Sequence, residues 1–465
     1  MQYLSTRGGG DPLSFKETVL TGLARDGGLF LPDEIPDVTE RLDSWRHMTY
    51  SDLAFEIMRL YADDLPASAL RTIIEKSYGA FRRSDITPVV EVGPLHILEL
   101  FHGPTLAFKD VALQFLGNLF EYILEENGGE MNILAATSGD TGSAAIYGVR
   151  GRGHIRIFVL HPNGRVSPVQ ERQMTSVLDD NVYNLGLSGT FDDCQNIVKG
   201  LFGDLEFRDS YKLGAVNSIN WARVLAQIVY YFYAAFQVME KTGAEKVRFT
   251  VPTGNFGDIF AGYIAFRMGL PVDRLVLATN ENDILSRFFN SGEYRLGSVF
   301  ETFSPSMDIQ VASNFERYLY YLCGKDSAML CKWMEEFRNS GSLSIEDYNP
   351  DGVFAAGRGD MEKTLDVIRE YWEKYAYLLD PHSAVGVSVA SRYLQDDAPM
   401  IALATAHPAK FGEAIKRATG EDVAHHELID ALTDMPARKE VMAAESRTVA
   451  EFIRNKIESD QARQA

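Results

Sequence analysis

Three stretches of the chain carry residue types that could do chemistry together. The first is HGPTLAFKDVALQF (102–115), in which Lys109 follows Ala107 and Phe108 and opens a strongly apolar helical pattern. Ala112, Phe115, Leu116, Leu119, Phe120 and Ile123 fall at helical spacing behind it, which predicts a buried face. A lysine at the mouth of a core helix either pairs with a carboxylate or serves as a desolvated amine that can react with a carbonyl. Asp110 beside it suits the first turn of a helix. The other two stretches are TSGDTG (137–142) and TGNFGD (253–258), each closing an apolar run and opening a helical pattern. Glycine permits positive φ and close backbone approach, and the first N–H groups of a helix face outward with the positive end of its dipole. Such a loop is a ready anion site. It is also an ordinary capped turn, since Ser, Thr, Asn and Asp are the preferred N-caps. A reactive lysine would need a carbonyl cofactor with an anionic tail, and the glycine loops offer that tail a place.

Other chemistries find little footing. Gly148, Gly151 and Gly153 precede a strand instead of following one, so no Rossmann fingerprint is present. There is no G-x-x-x-x-G-K-[ST] phosphate loop and no G-x-S-x-G nucleophile elbow. The nine histidines are scattered, and the adjacent His425 and His426 would point apart on a helix, so a metal centre is not expected. A net charge of -20 argues against broad binding to nucleic acid or anionic membrane, although it leaves room for a local anion site. No window approaches a membrane span. The three cysteines show no CxxC pairing and the N-terminus no signal-peptide pattern, so a reducing cytoplasm is expected.

These groups need elements to hold them. At 465 residues the chain exceeds one ordinary core, and two or three domains are expected. Residues 1–95 read as a mostly helical region. From 96 onward short apolar runs alternate with helical patterns: MNILAAT, IRIFVLHP, NVYNLGL, VRFTVP, RLVLATN and MIALATAH. That alternation predicts βαβ units and a parallel sheet, and runs apolar throughout predict a sheet covered on both faces. Ligands in such folds bind beyond the C-terminal strand ends, where the glycine loops and TAHPAKF (405–411) would gather. Residues 315–375 read as charged helices outside the sheet. The expected partition is 1–95, then 96–240 with the lysine, 241–436 with TGNFGD, and 437–465 as a solvated helical tail.

HGPTLAFKDVALQF, TSGDTG, HPNGRVSPVQERQM, NSINWARVLAQIVYYFYA and VPTGNFGDIFAGYIAFRMGLP, in this order, together resemble threonine synthase of the longer microbial and fungal type. MQYLSTRGGGDPLSFKETVLTGLARDGGLFLP is similar to that family's amino-terminal segment. The resemblance implies fold type II of the pyridoxal 5′-phosphate (PLP) enzymes, the tryptophan-synthase β group, with two parallel-sheet α/β domains and an N-terminal helical region. It implies the conversion of O-phospho-L-homoserine and water to L-threonine and phosphate. Lys109 would be the Schiff-base lysine, with Gly254, Asn255, Phe256, Gly257 and Asp258 as the cofactor-phosphate cradle. The Thr405 hydroxyl would meet the pyridine nitrogen. Ser138, Gly139, Asp140 and Thr141 would hold the substrate carboxylate and lie near the ring oxygen. Arg165, Ser167, Arg223 and Lys410 are candidates for the substrate phosphate. A relative of the same build that releases 2-oxobutyrate, ammonia and phosphate is the second reading. A non-catalytic relative is the third, and the presence of both lysine and glycine loop speaks against it. Oligomeric state is not legible.

Overall fold

The fold was read from a computed structural model, which describes all residues except 346, 347, 349–351, 395–397 and 465. Strands β1 (Val89–Val92) and β2 (Leu95–Glu99) precede helix α1 (Lys109–Asn127). Then come β3 (Met131–Ala136), α2 (Asp140–Val149), β4 (Ile155–Pro162), α3 (Pro168–Thr175), β5 (Val182–Ser188), α4 (Phe191–Gly203) and β6 (Leu213–Gly214). The long α5 (Trp221–Thr242) leads to β7 (Val247–Pro252), α6 (Gly257–Arg267), β8 (Val272–Thr279), α7 (Phe315–Leu322) and β9 (Phe354–Arg358). Finally α8 (Pro381–Ala390) and β10 (Met400–Ala404) precede β11 (Glu440–Ala443) and α9 (Ser446–Gln464).

The chain divides into two compact units. One comprises 1–112 and 218–425, the other 113–217 and 426–465. The expected breaks near 95, 240 and 436 therefore differ from the observed ones. Local texture marks where a strand begins but not which sheet it joins.

The first unit holds a six-stranded sheet in the order β9-β8-β7-β10-β2-β1. All its pairings are parallel except β1 with β2, an antiparallel edge. Its strands β7 and β10 are buried along their whole length, as expected of a sheet covered on both faces. Helix α8, every residue of which is buried, packs on this sheet in a core with Ile97, Val276, Ala278, Met400 and Ala402. Helices Phe15–Thr21, Tyr50–Met58 and Ala67–Tyr78 are the longest elements of the N-terminal region, which also pairs Tyr3–Ser5 with Phe30–Pro32 as antiparallel strands. The second unit holds a parallel five-stranded sheet, β11-β5-β4-β3-β6.

Two expectations require correction. The stretch 315–375 is not only helical, because β9 joins the sheet edge beside β8. The segment after 437 is not a solvated tail: β11 pairs with β5, and Val449, Ile453 and Ile457 of α9 are fully buried with Leu160, Leu185 and Ile197. Among the described residues no helix is long and apolar enough to cross a membrane.

Candidate active site

Three neighbouring strands of the first sheet, β2, β10 and β7, run parallel and so end on the same side. Beyond their C-terminal ends stand, respectively, the loop to Lys109, Thr405, and the loop Gly254–Asp258. Residues almost 300 apart in sequence are thereby joined. The Phe108 N–H donates to the Thr405 carbonyl at 2.8 Å, and the His407 N–H to the Leu106 carbonyl at 3.0 Å, around a bridge between Ala107 and Ala406.

The turn before Lys109 is built on Asp110. Its carboxylate accepts the Thr105 N–H at 2.8 Å and the Thr105 hydroxyl at 2.7 Å. Leu106 takes a left-handed φ of 59°, and a Cβ on Gly103 would lie 2.4 Å from the Cβ of Asp110. The side chain of Lys410 donates to the Thr105 carbonyl at 2.8 Å. Burial pushes the Asp110 carboxyl up to about 6, against the opposing pull of Thr105 and the Lys410 charge. Lys109 itself is buried, its Nζ 4.8 Å from the Phe108 ring centre. Lys410, expected at the substrate phosphate, is thus engaged in supporting the lysine turn.

The TGNFGD loop opens α6 without a side-chain cap, and Phe256 adopts a left-handed φ of 64°. Among the described residues, none accepts a hydrogen bond from the N–H groups of Gly254, Asn255, Phe256 or Gly257. Those donors sit at a helix start, where the dipole favours an anion. A Cβ on Gly254 would come within 2.6 Å of the Ser306 carbonyl oxygen, so the loop has no room for a side chain there. Asp258 turns inward instead. Its Oδ1 accepts the hydroxyls of Tyr230 at 2.5 Å and Tyr231 at 2.9 Å. Burial raises its carboxyl to about 6, while the two tyrosines and the charge of Lys109 pull the other way.

Thr405 is buried, and its hydroxyl bonds none of the described residues. Its backbone N–H is held by Ser383 Oγ at 3.0 Å. Ser383 in turn donates to Asp380, whose other oxygen accepts the His382 Nδ1–H at 2.8 Å. His382 Nε2 accepts the Ser306 N–H at 3.2 Å, so Nδ1 is the ring nitrogen that donates to Asp380. This Asp380 network ties the strand end bearing Thr405 to the segment beneath Gly254. Sequence reasoning missed it; DPHS, a Pro-started helix with an Asp cap, was the available signal. Arg223, in the first turn of α5, is buried, and burial lowers its guanidinium to about 10.

The second unit carries the remaining candidates after adjacent strands β3 and β4. Thr137 Oγ1 accepts the N–H groups of Gly139 at 3.0 Å and Gly142 at 2.9 Å, which folds Ser138–Thr141 into a tight start for α2. Ser138 is exposed. Ser167 caps α3 through the Gln170 N–H and donates to the Gln170 side chain at 3.1 Å. Gln170 Nε2 then reaches Asp140 Oδ1 at 2.8 Å, so a residue not singled out from sequence links both loops. Arg165 is exposed, and its charge acts on Asp193. Among the described residues no cluster of His, Cys, Asp and Glu could hold a metal ion.

Comparison with known proteins gives a consistent account along the chain. Residues 2–78 match the family described as threonine synthase N terminus, 86–343 that of pyridoxal-phosphate dependent enzymes, and 383–453 that of threonine synthase, C-terminal. The threonine synthase of Schizosaccharomyces pombe is 48% identical, covering 90% of this chain and 89% of its own. That of Saccharomyces cerevisiae is 44% identical over 99% of this chain and 98% of its own. The crystal structure of PLP-bound threonine synthase from Brucella melitensis matches with a TM-score of 0.94 at 47% identity, covering 98% of this chain and 99% of that one.

Proposed function

Because the chain belongs to the threonine synthase family of PLP-dependent lyases, we propose that it converts O-phospho-L-homoserine and water to L-threonine and phosphate with Lys109 as the reacting amine. The observation that carries the residue assignment is the convergence of Lys109, Thr405 and the Gly254–Asp258 loop beyond three adjacent parallel strands. The groups fit the cofactor. Loop N–H groups without an acceptor suit a phosphate, and an unengaged buried hydroxyl at Thr405 suits a ring nitrogen. When bound, PLP supplies an aldehyde for the substrate's amino group and a ring that takes up carbanion charge.

The chain's own residues do the rest. Lys109 holds the cofactor between turnovers; freed by substrate, its amine removes the α-proton and then a β-proton. Phosphate departs from the γ carbon and a proton returns there; water then adds its hydroxyl at β, and a proton restored to the α carbon completes threonine. Thr405, a hydroxyl in place of a carboxylate, would hold the ring nitrogen of the bound cofactor without protonating it. The Ser138–Thr141 loop is assigned to the substrate's carboxylate. Arg165, Ser167 and Arg223 remain the candidate ligands of its phosphate; Lys410 keeps that assignment only alongside its bond to Thr105. Three free cysteines suit action in the cytoplasm.

The deciding experiment mixes purified enzyme with O-phospho-L-homoserine and assays phosphate, threonine and 2-oxobutyrate together. Threonine and phosphate are expected in equal amounts, and Lys109→Ala is expected to lose turnover by about 10³-fold or more. Phosphate accompanied by 2-oxobutyrate would identify the lyase outcome, and near-normal turnover by the variant would remove Lys109 from the mechanism.

A further inference from the structure

The TGNFGD loop adopts a conformation that its own sequence does not favour. Phe256, an aromatic L-residue, holds φ at 64°, a left-handed conformation that persists only where surroundings impose it. What imposes it lies in the segment Ser313–Arg317. The Asn255 carbonyl accepts two donors from one residue: the Asn314 N–H at 3.1 Å and the Asn314 side-chain amide at 3.2 Å. Ser313 Oγ donates to the Asn255 side chain at 3.1 Å. The Asn255 carbonyl and the Phe256 N–H belong to a single trans peptide group and point in opposite directions. Fixing the carbonyl on one side therefore aims the N–H at the other.

Asn314 can do this only if its amide nitrogen faces the loop. Arg317 decides the matter, because its Nη1 donates to Asn314 Oδ1 and leaves the Nδ2 end toward Asn255. The guanidinium is fully buried, and its other donors reach backbone carbonyls: Phe30 from Nε and Nη2 at 3.1 and 3.0 Å, and Ile219 from Nη2 at 2.5 Å. The neighbouring Glu316 bonds Arg7 and Thr6 instead. Burial lowers Arg317 to about 9, which leaves it protonated at neutral pH. A planar, charged fork among carbonyls is suited to orienting groups, which a lysine could not reproduce. Its charge also polarises the Asn314 amide and strengthens it as a donor.

We infer that Arg317 and Asn314 are positioning residues for the cofactor phosphate, acting through the Asn255 carbonyl to aim the N–H groups of the Gly254–Gly257 loop. This rests on reading that loop as the phosphate cradle. The test titrates apo-enzyme with PLP and, separately, with pyridoxal, which lacks the phosphate, and follows binding by visible absorption. Arg317→Lys and Asn314→Ala are each expected to weaken PLP binding by about 10–100-fold, the range for a hydrogen bond to a charged group. Pyridoxal binding should stay within about twofold of wild type, and the ³¹P resonance of bound PLP should shift. Equal losses for both ligands, or no loss for either, would overturn the inference, since a merely structural role does not distinguish the phosphate. Should both variants fail to fold, Ser313→Ala at a half-buried position decides: an unchanged PLP-to-pyridoxal ratio counts against the inference. Wild-type enzyme that showed no preference for PLP over pyridoxal would instead refute the cradle reading itself.

Discussion

Asp258 shows how a single buried carboxyl can be tied to both folding and site. Its pKa of about 6 lies some two units above the usual aspartate value of about 3.9. The folded chain thus holds this proton more tightly than the unfolded one. Its favourable contribution is complete below about pH 4 and is lost as pH rises through 6, a change on the order of 3 kcal/mol. Asp258→Asn keeps an oxygen for Tyr230 and Tyr231 but does not titrate. In urea unfolding of the apo-enzyme, the stability of wild type relative to this variant should fall between pH 4 and 7 by up to that amount. A flat difference would mean that burial does not govern the group. At this scale Lys109 and the glycines of TGNFGD were legible, because their signals are local in sequence. The strand-end loop that begins at Thr405 was legible too, but the role of its hydroxyl came through family resemblance alone. Arg317 and Asn314 were invisible, because the groups they hold, Phe30, Ile219 and Asn255, lie tens to hundreds of residues away; Asp380 left only the local cap signal of DPHS.

Among the elements, two backbones approach closely at Gly254. A Cβ there meets the Ser306 carbonyl at 2.6 Å and the Met307 Cα at 3.3 Å, both backbone atoms that cannot swing aside. Gly254→Ala should therefore displace the loop, lower the melting temperature by an amount equivalent to about 1–3 kcal/mol, and weaken PLP binding at the same time. A variant that melts and binds like wild type would show that the loop has slack. Of the two strands beside this loop, MIALA was readable as an uninterrupted apolar run, whereas VRFTVP sets Arg248 and Thr250 among its apolar residues. Strands β9 and β11 were not. FAAGR and EVMA each hold only three apolar residues in a row, with at most one β-branched residue, too short a run to read as a strand. In α9, Val449, Ile453 and Ile457 recur every four residues, a stripe narrow enough for the helix to read as solvated.

For the whole molecule, residues 437–465 belong to the second unit and contribute to its core. Ending the chain after Pro436 would strip β11 from β5 and remove three fully buried side chains from that core. Loss of soluble expression, or of cooperative unfolding in the second unit, is the expected result. A truncated protein with wild-type melting would restore the view of a dispensable tail. The partition into units escaped sequence reading because each is assembled from separated stretches of chain, whereas composition changes only locally. The same discontinuity affects how the enzyme is made. Strand β10 lies between β2 and β7, yet it is synthesised roughly 150 residues after β7. A chain growing on the ribosome has the lysine and the glycine loop in hand long before the strand that seats them side by side. On the proposed site, cofactor capture thus waits for β10, which makes the bound cofactor a marker that translation has passed that strand.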